Sequence, residues 1–156
     1  MVKIIGLGEY AVSDEKCDSI KTYALASCVG LVVYNRASKV VGMVHIVLPE
    51  RQENDVLKRT EGFFAETAVP LLFGAVFGGY PDKKIPYEVS LYGGSNSKNK
   101  NDLFNVGARN LKRVEKILKE NHIKYDKKNT GGCLSRTIEA HAEDGSISIH
   151  TQEMKI

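Results

Sequence analysis

Two apolar runs joined by a short polar break constrain this chain more than any other feature. Residues 28–34 (CVGLVVY) and 39–48 (KVVGMVHIVL) are rich in valine and almost free of charge, while residues 35–38 (NRAS) between them are polar. β-Branched residues suit a pleated surface, and a run that is apolar at every position fits a strand buried on both faces. The pair therefore predicts a central β-hairpin, ended by Pro49. A hairpin buried on both sides needs a layer above and a layer below, which the rest of the chain must supply.

Short strands are expected at 2–5 and 10–13, set apart by Gly6 and Gly8, and at 87–92, where alternation runs into Gly93 and Gly94. Residues 49–60 are polar and read as a loop. Beyond them, Phe63, Phe64, Ala68, Leu71, Leu72 and Ala75 have helical spacing. Pro70 inside that segment predicts a kink or a split, and Gly78, Gly79 and Pro81 end it. The clearest helix is 105–121: Asn105 is placed to cap it, Val106, Leu111, Val114, Ile117 and Leu118 form its apolar stripe, and Lys112, Arg113, Lys116 and Lys119 face water. A short strand is expected at 123–126. Residues 134–142 and 147–152 alternate around Asp144 and Gly145, a hairpin signal. The reading is a single α+β domain spanning residues 1–156, mostly β with two helices.

Composition excludes several function classes. Charged residues are 26% and hydrophobic residues 42% of the 156, which rules out wholesale disorder. The net charge of +3 is too small to argue for nucleic acid. No stretch approaches the ~18 consecutive apolar residues of a membrane helix, and the start, MVKIIGLGEY, lacks the apolar core of a secretory signal. The expectation is a cytoplasmic protein without membrane insertion. Three cysteines are too few for a disulfide framework and leave at least one thiol free in a monomer. No CxxC or HxxxH-type cluster favours zinc, so neither metal nor cofactor is expected.

Among the thiols, Cys17 lies in a polar segment and reads as an exposed loop residue, and Cys133 follows the Gly131–Gly132 turn. Cys28 stands at the mouth of the buried strand. By position alone it reads as a small hydrophobe. His45, in the other strand of the hairpin, changes the balance; His122, His141 and His150 read as capping or surface residues. A turn centred between 36 and 37 pairs position 28 with 45, making thiol and imidazole cross-strand neighbours. The imidazole can then take the thiol proton and leave a thiolate–imidazolium pair. No Asp or Glu stands beside it to orient the ring, and Thr22 can offer a hydroxyl or a carbonyl instead. Backbone N–H groups at Ser27 and Cys28 can line an oxyanion site. Such a pair suits acyl chemistry on an amide, ester or thioester. Gly93, Gly94, Gly131 and Gly132 either border the cleft for a protein substrate or form ordinary tight turns.

Six segments in register carry a family resemblance: Gly6-Leu-Gly-Glu-Tyr10, Thr22-Tyr-Ala-Leu-Ala-Ser-Cys28-Val, His45-Ile-Val-Leu-Pro49, Tyr92-Gly-Gly-Ser95, Phe104-Asn-Val-Gly-Ala-Arg-Asn110, and Thr130-Gly-Gly132 followed by Arg136. Together they resemble the chemoreceptor glutamine deamidase family, CheD, over nearly the whole chain. The resemblance implies hydrolysis of glutamine side chains of methyl-accepting chemotaxis receptors to glutamate, with release of ammonia. It implies Cys28 as nucleophile, His45 as base and acid, and Thr22 as the group orienting His45. The implied fold is a stack of mixed and antiparallel β-sheets flanked by helices, similar to the catalytic domain of cytotoxic necrotizing factor toxins. The implied partner is a CheC-type phosphatase, so a binding module that stimulates that phosphatase is the alternative to an enzyme. Ala26, Ser95 and Ser135 depart from the family pattern of Gly, Ala and Gly, all small for small. The stretches 50–60 and 96–102 leave receptor and partner specificity open. Asn105, Arg109 and Asn110 read as structural ties at the start of a helix, and Arg136 as the partner of a buried carboxylate or of another protein.

Overall fold

The expected hairpin forms the middle of the molecule. The computed structural model describes residues 1–97 and 105–154. Among these the chain runs β1 (Val2–Ile5), β2 (Tyr10–Val12), β3 (Ser19–Leu25), β4 (Val29–Asn35), β5 (Val40–Ile46), a 3-10 turn (Glu61–Phe63), α1 (Ala65–Phe77), β6 (Tyr87–Gly93), α2 (Val106–Glu120), β7 (Asp126–Thr130), β8 (Leu134–His141) and β9 (Ile147–Glu153). Two mixed sheets result. One has the order β2-β5-β4-β6-β7 and the other β1-β3-β8-β9. Each holds one parallel pair, β6 with β7 and β1 with β3.

Period-two alternation in β4 and β5 divides the core into two layers. Val29, Leu31 and Val33, with Val44 and Ile46, face the helices and pack on Ala65, Ala68, Val69, Leu72 and Phe73 of α1 and on Val114 and Leu118 of α2. Val32 and Tyr34, with Val41 and Met43, face the other sheet and meet Ile5, Ile20, Leu25, Ile138 and Ala140. The order is helices, five-stranded sheet, four-stranded sheet, with both helices on one side. The α+β reading with stacked mixed sheets and two helices holds. The hairpin, β6, α2 and the C-terminal hairpin lie close to where the sequence placed them.

Several expectations need correction. The strand β3 was not expected: Ala24, at φ 57°, makes a bulge between Thr22 and Leu25 that leaves Tyr23 and Ala24 both exposed and breaks the alternation. The strand expected at 123–126 is instead β7, because Ile123 turns inward to anchor the end of α2 in the core. Pro70 does not split α1, which runs unbroken with its proline on the exposed side. Asn105 makes no side-chain capping bond; its backbone is left-handed, and Asn96 Oδ1 accepts from the Ala108 N–H at 3.3 Å. Cys17 is buried, not exposed: the turn at Asp14 folds it inward, where its thiol donates to the Ser19 carbonyl. Residues 98–102 of the 96–102 loop, and Phe104, lie outside the described residues.

Candidate functional site

The hairpin register differs from expectation by two positions along the pair. Gly30, not Cys28, stands opposite His45, because the turn is centred one residue later and closes Asn35 on Val40. An even offset preserves the face, so Cys28 and His45 both remain on the side of β4–β5 that meets the four-stranded sheet. Diagonal neighbours of this kind lie roughly 7–8 Å apart between backbones and closer between side chains.

His45 is held from three directions. Its backbone N–H donates to the Glu9 carbonyl and its own carbonyl accepts from Gly8, fixing the strand against the 6–9 loop. Its Nδ1 lies 2.6 Å from Thr22 Oγ1, and Thr22 Oγ1 donates to the Ile5 carbonyl at 2.9 Å. These contacts fix the tautomer. A hydroxyl has one hydrogen, the Ile5 carbonyl can only accept, and so Oγ1 must accept from Nδ1–H. The lone pair is thereby left on Nε2, which is buried and has no partner among the described residues. Thr22 reaches this position because β3 pairs with β1 in parallel, setting Thr22 beside Ile5.

Burial holds the pair neutral. It pushes the His45 imidazole down to about 4. It pushes the Cys28 thiol up to about 11, against a smaller opposing pull from the Cys28 N–H. Burial thus favours the neutral thiol and imidazole over the thiolate–imidazolium pair.

Three consecutive carbonyls fix the backbone before and at the thiol. Ala26 O accepts from Ser95 N–H at 2.7 Å, Cys28 O accepts from Gly94 N–H at 2.9 Å, and Ser27 O accepts from Asn110 Nδ2 at 2.9 Å. The other hydrogen of that amide goes to Val47 O, also at 2.9 Å. Gly93 and Gly94 serve close packing: a Cβ on Gly93 would sit 2.2 Å from the Cys28 carbonyl, and one on Gly94 would strike Leu111. Gly131 and Gly132 have open space where a Cβ would stand and so present a bare backbone. The two turns are joined through Gly131 N–H to Gly93 O and Asn96 N–H to Gly132 O.

Arg136, 6% exposed, meets no carboxylate among the described residues. Its Nη1 donates to Ser95 Oγ at 3.0 Å and to Gly131 O at 3.1 Å, so it braces these turns from β8. Asn110 was read from sequence only as structural and Arg136 as the partner of a carboxylate or of another protein; their contacts to the loop before Cys28 and to the turns at 95 and 131 depend on long-range packing. No group of three or more His, Cys, Asp or Glu placed to hold a metal occurs among the described residues.

The family model for CheD, described as chemotactic sensory transduction, matches residues 47–151. The chain belongs to the CheD family. Among CheD relatives, a probable chemoreceptor glutamine deamidase CheD of Syntrophotalea carbinolica is 36% identical over 148 residues, covering 94% of this chain and 91% of that one. The chemoreceptor glutamine deamidase CheD of Halalkalibacterium halodurans is 33% identical, covering 85% and 83%. That of Bacillus subtilis is 31% identical, covering 86% and 82%. The CheD model match begins after His45.

Proposed function

We propose that this chain hydrolyses glutamine side chains of methyl-accepting chemotaxis receptors to glutamate, using Cys28, His45 and Thr22. One observation carries the chemistry: an imidazole with Nδ1–H committed to the Thr22 hydroxyl and a bare Nε2, on the same hairpin face as the only thiol of that hairpin. The family and the names of its members supply the substrate class.

His45 Nε2 takes the Cys28 proton as the sulfur forms a bond to the carboxamide carbon. The carbonyl π electrons move to oxygen, and the Cys28 N–H, with Ser27 a second candidate, receives that charge. The C–N bond then breaks, its electrons going to nitrogen, and the imidazolium proton makes the leaving group ammonia. A thioester remains. Water attacks it, losing a proton to Nε2; the C–S bond breaks and the sulfur recovers that proton. Because both groups rest neutral, the proton moves only as the substrate is attacked. The bare Gly131–Gly132 backbone is the place where a protein substrate would pass.

The likeness to the catalytic domain of cytotoxic necrotizing factor toxins, a cytoplasmic location and a CheC-type phosphatase partner belong to the same proposal. A pure binding module has no use for an oriented, buried imidazole, which favours the enzyme. The test is incubation with receptor cytoplasmic fragments, scored for Gln-to-Glu conversion by mass spectrometry. Conversion is expected with the parent and none with Cys28→Ala. Equal conversion by Cys28→Ala would sink the mechanism, and no conversion of any receptor alongside tight phosphatase binding would sink the enzyme.

A further inference from the structure

The fully buried Asn110 uses its carboxamide in an unusual way. Both hydrogens go to backbone carbonyls, of Ser27 and of Val47, while Oδ1 has no partner among the described residues. Only an NH2 group can satisfy two carbonyls, so the amide orientation is settled. A residue needed merely to fill this space would be apolar and would leave no polar atom orphaned. What the two bonds hold is informative. Ser27 precedes the thiol, and Val47 lies two residues beyond His45.

A peptide unit is planar and trans, so its C=O and N–H point in opposite directions. Binding Ser27 O from α2 therefore turns the Cys28 N–H away from α2. That N–H donates to no described residue. Ala26 and Cys28 carbonyls are fixed by neighbouring backbone, and among the described residues the peptide between them is fixed by Asn110.

We infer that Asn110 is a positioning residue for acyl transfer: it locks the Ser27–Cys28 peptide so that the Cys28 N–H faces the developing oxyanion, and ties that peptide to the strand bearing His45. The inference rests on the thiol being the nucleophile proposed above, and its test does not need the receptor.

Two small probes separate orientation of the N–H from reactivity of the sulfur. Acylation by p-nitrophenyl acetate passes through a tetrahedral oxyanion; alkylation by iodoacetamide does not. With Cys28→Ala subtracted to remove Cys17 and Cys133, Asn110→Ala is expected to slow acylation about 100-fold, the scale of losing an oxyanion donor, and to leave alkylation within about twofold. In receptor deamidation kcat should fall by a similar factor with KM little changed. If acylation and alkylation fall together, or neither falls, the inference is overturned. Should Asn110→Ala fail to fold, Asn110→Ser, which keeps one donor, is judged on the same ratio, with an intermediate loss expected. A parent that shows the selective acylation effect but converts no receptor glutamine would overturn the proposed substrate and leave the role of Asn110 standing.

Discussion

Replacing Thr22 by valine keeps its shape and deletes the hydroxyl that sits between Ile5 O and His45 Nδ1. The ring then loses the group that fixes its tautomer, and Ile5 O loses a donor. We expect kcat to fall roughly 10–100-fold, a part of what a positioned general base contributes, while Thr22→Ser restores most of it. A merely structural role would move stability and leave the Ser and Val variants equally active. The pH profile follows from the neutral pair. With His45 near 4 and Cys28 near 11, kcat/KM should stay level across the neutral range. It falls as pH drops through about 4, when Nε2 becomes protonated and can no longer accept. An ion pair would instead add a basic limb, where an imidazolium held above its ordinary value by the thiolate loses its proton. The hairpin singled out Cys28 and His45 in the sequence and the family resemblance added Thr22; the fold sets Thr22 against His45 and keeps Cys28 on the same face. Cys17 was misread because an aspartate turn, not its polar neighbours, sets its burial.

At the level of elements, legibility followed apolar patterning. The hairpin β4–β5 and helix α2 bury continuous stripes and announce themselves. The bulge at Ala24 hides β3, and β7 hides because an exposed edge strand of sequence DKKNT needs no apolar alternation. The register missed by two positions because the turn takes in Lys39, at φ 56°, and yields Asn35 to the strand. Turns also differ in what they tolerate. Gly93→Ala must bring a methyl against the Cys28 carbonyl at φ 92°, a clash with backbone that cannot be relieved by a rotamer change. We expect it to cost more than about 2 kcal/mol and to abolish activity. Gly131→Ala meets no neighbour and carries only the strain of φ 77°, about 1–2 kcal/mol. Urea midpoints of the two variants should differ in that order.

Across the whole molecule the site is a rivet through three layers. Asn110 belongs to the helical layer, Cys28 and His45 to the five-stranded sheet and Thr22 to the four-stranded sheet. Separating any two layers breaks a contact of the site, so activity and far-UV circular dichroism should vanish in one urea transition. An activity lost well before the secondary structure would contradict this. Acid should weaken the fold through His45. Its folded value near 4 lies below the ordinary 6.5, so the unfolded chain binds the extra proton between them. That stability is complete above about 6.5 and lost as pH falls toward 4, on the order of 3 kcal/mol. His45→Gln, which cannot titrate, should flatten this acid limb in urea midpoints taken from pH 7 to 4. The raised thiol has a further consequence, in redox chemistry. Peroxide attacks thiolate, and a thiol near 11 supplies only about one thiolate in ten thousand at neutral pH. The same burial that raises the Cys28 thiol should thus slow its conversion to sulfenic acid, which peroxide titration of the parent protein against a small free thiol checks.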